Sequence, residues 1–258
     1  MKENNQKGEK LIYQLGWISI LLAVLIFRRN LGVELMQFNG FGLFDVPDAY
    51  PADPVDWFTL LRDSFFVGFA LLEGFDLLNY LIVGLIFLGV YLVQNKFYPL
   101  LSKIALTTGW VGVLIFWFTN QAFPMLRLSR QYYSAAGEAR QAALIEAGRS
   151  ILEAVNPEGI SQIIGWHVSL ALVLIAGLIF SVLMLKNGVF TRWTGISGVL
   201  ANGIGLLLFP LIPLGPGIYW IPPAFSAPFR IIWYVLIAIK FRQLAKQKDN
   251  NTEDQRNG

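Results

Sequence analysis

Two carboxylates interrupt an apolar stretch of the chain. The segment ALLEGFDLLNYL, residues 70–81, carries Glu73 and Asp76 three positions apart, so in a helix they lie close to one face. Paired carboxylates can do acid–base work on a substrate, hold a proton or an ion, or pair with a buried base. Glycosidase-like or aspartyl catalysis would need carboxylates held across a cleft, and one turn of one helix does not favour it.

Counting along the apolar runs brings other polar residues to the level of this pair. At a rise of about 1.5 Å per residue, Asn120 and His167 reach the same outer rim, whereas Arg230 lies about 15 Å from the inner end of its run. An isolated charge at that depth costs about 3 kcal/mol, so Arg230 needs a partner. We predict an Arg230–Asp76 ion pair assisted by Glu73, and both a structural clamp and a substrate, proton or ion site remain open for it. The candidate polar cluster is Glu73, Asp76, Asn120, His167 and Arg230.

Composition excludes most other chemistry. Cysteine is absent and His167 is the single histidine, so disulfides, thiolate nucleophiles and multi-histidine metal centres are excluded. Its position beside Trp166 fits an aromatic membrane-interface belt better than a catalytic base. No phosphate loop, dinucleotide fingerprint or hydrolase motif occurs. The sequence therefore predicts no catalytic residue, no metal and no cofactor.

The chain has the composition of a multi-pass membrane protein. Of its 258 residues 55% are hydrophobic and 14% charged, against about 25% charged in soluble domains. Apolar runs long enough to cross a bilayer predict an all-α bundle of about six transmembrane helices. The predicted spans are 11–27, 66–93, 104–123, 166–185, 194–214 and 224–241. The first lacks a small-residue cleavage site, which favours a retained span over a cleaved signal peptide.

The connections have a different composition. Residues 28–63 contain several aspartates and prolines and predict an irregular, solvated outer loop. Residues 127–155 are Ala-rich, with apolar residues at helical spacing, and predict an extracytoplasmic amphipathic helix. The spans and connections form a single predicted domain over 1–245. Residues 246–258 predict a polar, disordered cytoplasmic tail.

The distribution of charge predicts the orientation. With six spans and a cytoplasmic N-terminus, every lysine falls on the inner side, as the positive-inside rule requires. Arg28 and Arg29, at the outer end of the first span, violate it locally. We therefore expect both termini in the cytoplasm of a prokaryote, with the chain in the plasma membrane. The net charge of +3 follows from this topology and does not indicate a nucleic-acid partner.

Small residues follow one face of the fifth span. Gly195, Gly198, Asn202 and Gly205 recur at helical spacing and predict close packing against another helix. We expect Asn202 to hydrogen-bond across that interface, with a ligand role as the alternative.

The order of elements resembles a known family. The segments NKFYPLLSKIALTTGW and GWHVSLALVLIAGLIFSVLMLKNGVFTRWTGISGVLANGIGLLL resemble the DUF4386 family of bacterial and archaeal membrane proteins, and the likeness covers most of residues 10–245. It is densest at LKNGVFTRWTGISGVLANG. The resemblance implies a six-span helical bundle and transfers neither an activity nor a catalytic residue.

Three function classes follow from these observations. A polar cluster without catalytic machinery favours a non-enzymatic protein that binds a lipid, a small amphiphile or a membrane-protein partner, including a second copy of itself. A small transporter or permease component using the Asp76/Arg230 pair is the alternative. An intramembrane enzyme is the third and least favoured class.

Overall fold

The protein is all-helical in the part of the chain that its structure describes. This computed structural model describes residues 8–9, 11–18, 20, 46–47, 49–155, 163–215, 218 and 221–257, and no strand occurs among them. The predicted all-α class is confirmed. Within the described ranges, five helices are long and apolar enough to cross a membrane, as expected for a multi-pass membrane protein. These candidate spans are Asp76–Gln94, Pro99–Ser134, Gly165–Asn187, Arg192–Leu214 and Ile221–Gln247. Of the predicted first span, 11–27, residues 11–18 and 20 are described and helical, and the others lie outside the described residues.

Ten α-helices lie wholly within the described residues and are numbered in chain order. They are α1 Pro54–Asp63, α2 Phe65–Leu71, α3 Asp76–Gln94, α4 Pro99–Thr119, α5 Ala122–Ser134, α6 Glu138–Val155, α7 Ser169–Asn187, α8 Arg192–Leu206, α9 Leu208–Leu211 and α10 Ile221–Asn257. A π-helix, Ile163–Val168, leads into α7, and a 3₁₀ turn, Ile212–Leu214, follows α9.

The chain divides into two compact units, where the sequence predicts a single domain. The first unit comprises residues 1–25, 81–114 and 169–258, and the second comprises 26–80 and 115–168. Helices α3 and α4 each contribute residues to both units.

The first unit is held together by close helix contacts. Helix α8 packs against both α7 and α10. Phe241 of α10 lies against Gly89 of α3 and Gly16 of the N-terminal segment, where added Cβ atoms would stand 2.6 Å and 2.8 Å from its ring. The buried hydroxyl of Ser169 donates to the carbonyl of Gly112 over 2.8 Å and ties α7 to α4. Close contacts at small residues and a side-chain hydrogen bond to the backbone thus hold these helices together, as expected of helices in lipid.

The second unit is built around α1. This helix begins with a capping aspartate, Asp53, whose side chain accepts from the amide of Val55, and with Pro54 at its first position. It buries Trp57, Phe58 and Leu61 and contacts α2, α5 and α6. The predicted irregular loop 28–63 is therefore wrong over 54–63, because the capping signal and the apolar spacing outweigh the acidic composition.

Several other predicted boundaries are wrong. The span 66–93 is divided by a turn at 72–75, and the span 104–123 ends its first helix at Thr119. The single amphipathic helix 127–155 is two helices, separated at residues 135–137, where Gly137 has φ +94°. The predicted disordered tail 246–258 continues α10 as far as Asn257, because no proline or glycine lies between 229 and 257 to end the helix.

Candidate ligand-binding site

The corner between α2 and α3 takes both acidic residues out of a continuous helix. After Leu71 the chain turns through residues 72–75, and the amide of Gly74 donates to the carbonyl of Phe69 over 2.8 Å. Glu73 adopts φ +59°, the left-handed conformation that often ends a helix but seldom holds a residue other than glycine or asparagine. Asp76 then opens α3. The two carboxylates therefore lie on a turn and on the first position of a helix.

Asn120 fixes this corner to a second interruption, between α4 and α5. Its Oδ1 accepts from the amide of Ala122 over 2.9 Å, and its Nδ2 donates to the carbonyl of Glu73 over 3.2 Å. Both ends of one amide side chain are thus used to join the two breaks. Asn120 belongs to the predicted cluster, and the structure places it against Glu73.

Aromatic contacts set the register between the start of α3 and the end of α4. The rings of Tyr80 and Phe116 stack with centroids 3.9 Å apart and planes within 5°. The indole of Trp117 donates to the carbonyl of Leu77 over 3.0 Å. Together with the Asn120 bond to Glu73, these contacts run antiparallel along the two segments. They hold the acidic corner opposite the break at residues 120–121.

A π-helix, Ile163–Val168, leads into α7 and belongs to the same unit. Gly165 approaches Thr119 so closely that a Cβ there would stand 2.9 Å from the Cβ of Thr119. Trp166 packs on the apolar core of this unit, and His167 meets its indole edge to face with centroids 4.9 Å apart. Single-turn π segments inside helices often occur at functional sites. The π-helix thus lies beside the end of α4.

Five polar residues at or next to the first two breaks form what we call the polar junction. It consists of Glu73, Asp76, Asn79, Asn120 and Gln121. Among the described residues, neither carboxylate has a hydrogen-bond donor or an ion-pair partner. The side-chain oxygens of Asn79 and Gln121 are enclosed by protein atoms and also have no donor there. An enclosed amide oxygen without a donor is costly, so each of these two calls for a donor from a ligand or a water molecule.

The electrostatics of the turn show how unfavourable two charges would be there. Glu73 precedes the candidate span Asp76–Gln94. Burial, and then the charge of Asp76, raises its pKa from 4.5 to about 7. Burial, and then the charge of Glu73, raises the pKa of Tyr50, which places the Tyr50 phenol within electrostatic reach of the turn. The Glu73 carboxyl can therefore carry a proton near neutral pH.

The predicted cluster is divided between the two units. Glu73, Asp76, Asn120 and His167 belong to one unit, and Arg230 belongs to the other. Arg230 is half-buried within α10, and its Nη2 lies 3.3 Å from the position that a Cβ of Gly205 would take. The Arg230–Asp76 ion pair stays a prediction.

The small-residue face of α8 contacts two neighbouring helices. A Cβ on Gly195 would stand 2.6 Å from Cγ of Leu185 in α7, and one on Gly198 would stand 2.7 Å from Cδ1 of Trp233 in α10. Asn202 lies against Gly177 of α7. The expected hydrogen bond of Asn202 across the interface is wrong, because its Nδ2 donates over 2.8 Å to the carbonyl of Gly198 in its own helix. A carbonyl one turn back competes with any interhelical acceptor.

Sequence reasoning missed an amide chain in the first unit. The Oδ1 of Asn187 accepts from the amide of Val189, and its Nδ2 donates to Oε1 of Gln94. Gln94 is fully buried, and its Nε2 has no acceptor among the described residues. A polar residue at the end of each apolar run was the signal available, but nothing in their spacing indicates that the two amides meet.

Comparison with known proteins assigns no family. No family model matches the chain, and no curated protein or solved structure matches it either. The resemblance to the DUF4386 family therefore stays an expectation.

Proposed function

We propose that this protein is a non-enzymatic, six-span membrane protein that binds a lipid or small amphiphile at the polar junction. It lies in the plasma membrane of a prokaryote with both termini in the cytoplasm, and it belongs to the DUF4386 family. Residues 11–27 supply the span that precedes the five candidate spans, and part of the second unit, including α6, lies outside the bilayer. A protein partner or a second copy is the other occupant compatible with this class.

The observation that carries the proposal is the set of unpartnered acceptors at the junction. Irregular backbone at the edge of a bilayer is tolerated where it is buried in protein or lines a polar cavity. Interrupted membrane helices also supply binding groups in many membrane proteins. Here two helix breaks, joined through Asn120, and a π-helix accompany two carboxylates and two enclosed amide oxygens. Such a group of acceptors favours binding over mere packing.

Native mass spectrometry of the purified protein tests this proposal. The protein is extracted in a neutral detergent, and molecules retained by the wild type are identified. The variant Glu73→Gln/Asp76→Asn should lose the retained molecule because it removes both negative charges. Glu146→Gln is the matched control, since Glu146 is exposed on α6 and pairs with Arg149.

Two results would contradict the proposal. Either no molecule is retained by the wild type, or the double variant retains it as well as the control does. Circular dichroism on each variant establishes that its helices are intact before the comparison is made.

A transporter component is the second candidate function. It is favoured by one observation, a half-buried arginine, Arg230, inside the candidate span Ile221–Gln247. If Arg230 pairs with Asp76, Arg230→Ala should lower stability more than Arg230→Ala combined with Asp76→Asn, because the double variant leaves no uncompensated charge. If the double variant loses as much stability as Arg230→Ala and Asp76→Asn lose together, the two residues do not pair and the transporter candidate is rejected.

A further inference from the structure

We propose that one end of the first unit is a docking surface for anionic phospholipid headgroups. This surface, which we call the basic collar, consists of Lys96, Lys103, Lys186, Arg192, Lys240, Arg242 and Lys246. All seven residues belong to the first unit, whereas the polar junction belongs to the second. The inference therefore does not rest on the ligand proposed for the junction.

Positive charge in the first unit is not balanced by acidic residues. Residues 81–114 and 169–247 contain eight lysines and arginines, namely the collar and Arg230, and no aspartate or glutamate. Glu9 of the N-terminal segment places its Oε2 3.8 Å from Nζ of Lys96. The other acidic residues of the unit's second half begin at Asp249, beyond the candidate span Ile221–Gln247. The collar thus carries an excess of positive charge that an anionic partner would neutralise.

A hydrogen bond joins the two turns from which the collar extends. Asn187 ends α7 and donates through its Nδ2 to Oε1 of Gln94, which ends α3. Lys186 directly precedes Asn187, and Lys96 follows Gln94 by two positions. Gln94 is fully buried, so this bond holds the two turns together from the inside. Both lysines therefore lie at the same end of the unit.

The remaining collar residues reach that end through their helices. Helices α4 and α8 start directly after these two turns, so Lys103 and Arg192 lie in their first two turns. Phe241 of α10 lies against Gly89, five positions before the end of α3. Arg242 follows Phe241 directly, so α10 brings its own basic residues to the same level.

The collar is accessible and is flanked by exposed aromatic rings. Lys240 is half-buried, and the other six side chains are exposed. Trp193, next to Arg192, is 72% exposed, and Phe97, next to Lys96, is 50% exposed. Tryptophan is enriched where lipid headgroups meet the acyl chains. A soluble polyanion would meet only the charges, whereas a phospholipid offers both a phosphate and apolar chains.

Anionic lipid therefore fits this surface better than other partners. Basic residues beside membrane helices attract negatively charged headgroups. At physiological salt this attraction between exposed charges falls off over about 8 Å, so it acts on lipids that touch the collar. The turns fixed by Asn187 and Gln94 hold the basic residues in place before any lipid arrives.

Competition between two lipids tests the inference. The protein in neutral detergent is mixed with equal amounts of phosphatidylglycerol and phosphatidylcholine carrying the same acyl chains, and the retained lipids are counted by native mass spectrometry. We expect the wild type to prefer phosphatidylglycerol about tenfold or more at low salt, and less as sodium chloride is added. Equal retention of the two lipids at low salt would overturn the inference.

Variants then locate the binding. Lys186→Gln/Arg192→Gln should lose most of the preference, because each basic side chain beside an anionic headgroup contributes about fivefold in affinity. Lys186→Arg/Arg192→Lys, which keeps both charges, should retain it. Lys96→Gln/Lys103→Gln repeats the test at the other turn, in case the first neutral variant does not fold.

A matched control separates the collar from overall charge. Arg130→Gln/Arg140→Gln removes the same two charges from exposed positions of the second unit and should keep the preference of the wild type. Equal losses in this control and in the collar variants would show that net charge alone is responsible, and the inference would be wrong.

Two further results would also reject the inference or assign the lipid elsewhere. If glycerol 3-phosphate raises the unfolding temperature as much as phosphatidylglycerol does, the ligand is a soluble phosphate ester and the inference is wrong. If phosphatidylglycerol is lost from Glu73→Gln/Asp76→Asn but not from the collar variants, it binds at the polar junction. In that case the inference fails while the proposed function stands.

Discussion

A single methyl group on the small-residue face of α8 should destabilise the protein. A Cβ on Gly198 would stand 2.7 Å from Cδ1 of Trp233 and closer still to the hydroxyl of Ser181. Both neighbours are buried, and Trp233 is 1% exposed, so neither can swing aside into open space. Overpacking of this kind costs about 1–3 kcal/mol. Gly198→Ala should therefore loosen the contact of α8 with α7 and α10.

The same helix offers a matched control. A Cβ on Gly203 would meet nothing within 4 Å, so Gly203→Ala changes helix propensity without a clash. Because both substitutions gain about 1 kcal/mol of helix propensity, their difference isolates the steric cost. We expect Gly198→Ala to unfold at a temperature several degrees below that of Gly203→Ala. The measurement is thermal unfolding of both variants in the same detergent.

A double variant locates the clash. Ser181→Ala removes the hydroxyl oxygen that the added methyl group would overlap. Gly198→Ala should therefore lower the unfolding temperature less in the Ser181→Ala background than in the wild type. Equal unfolding temperatures for Gly198→Ala and Gly203→Ala would refute the packing described for this interface.

Three further predictions concern the second unit. Because burial raises the pKa of Glu73 from 4.5 to about 7, the native state holds that proton more tightly than the unfolded state. Stability should therefore fall by at most about 3 kcal/mol as pH rises from 4.5 through 7, and an unchanged pH profile in Glu73→Gln would exclude this cause. Asn120→Ala should lower the free energy of unfolding by about 1–3 kcal/mol because it removes two hydrogen bonds. An unfolding curve like that of the wild type would show that Asn120 does not hold the two breaks together. Ser129→Ala should lower the free energy of unfolding by about 1 kcal/mol, because the buried hydroxyl of Ser129 donates to the carbonyl of Phe58 in α1 over 2.8 Å. Ser134→Ala, at an exposed site, should leave the free energy of unfolding almost unchanged. Equal losses of stability in Ser129→Ala and Ser134→Ala would contradict the role given to the Ser129 hydroxyl.

The long apolar stretches were predictable because their signal is local. Chain length and hydropathy define a span, so α7 and the start of α8 lie within three residues of the predicted positions, although α8 ends at Leu206 and not at 214. Breaks inside apolar stretches carry a weaker signal. Glu73 takes a left-handed conformation that its residue type does not favour, and the contact of Asn120 with its carbonyl becomes visible only in three dimensions.

The missed polar contacts are also long-range. Gln94 and Asn187 are 93 positions apart, and no period in the sequence relates them. Conversely, α1 carried a local signal, Asp53 before Pro54, which the acidic composition of its surroundings obscured. Counting helical rise brought Asn120 and Glu73 to a similar level along their runs, but it did not indicate the hydrogen bond between them.

The continuation of α10 sets a fixed reach for the end of the chain. Its 37 residues extend about 55 Å, whereas the hydrocarbon layer is about 30 Å thick. The ten residues that follow the candidate span Ile221–Gln247 extend the helix by about 15 Å. A fluorophore or affinity tag fused after residue 257 would be carried that far from the end of the candidate span without a spacer. Any partner held there would keep a fixed distance from the candidate span and a fixed direction around the helix axis.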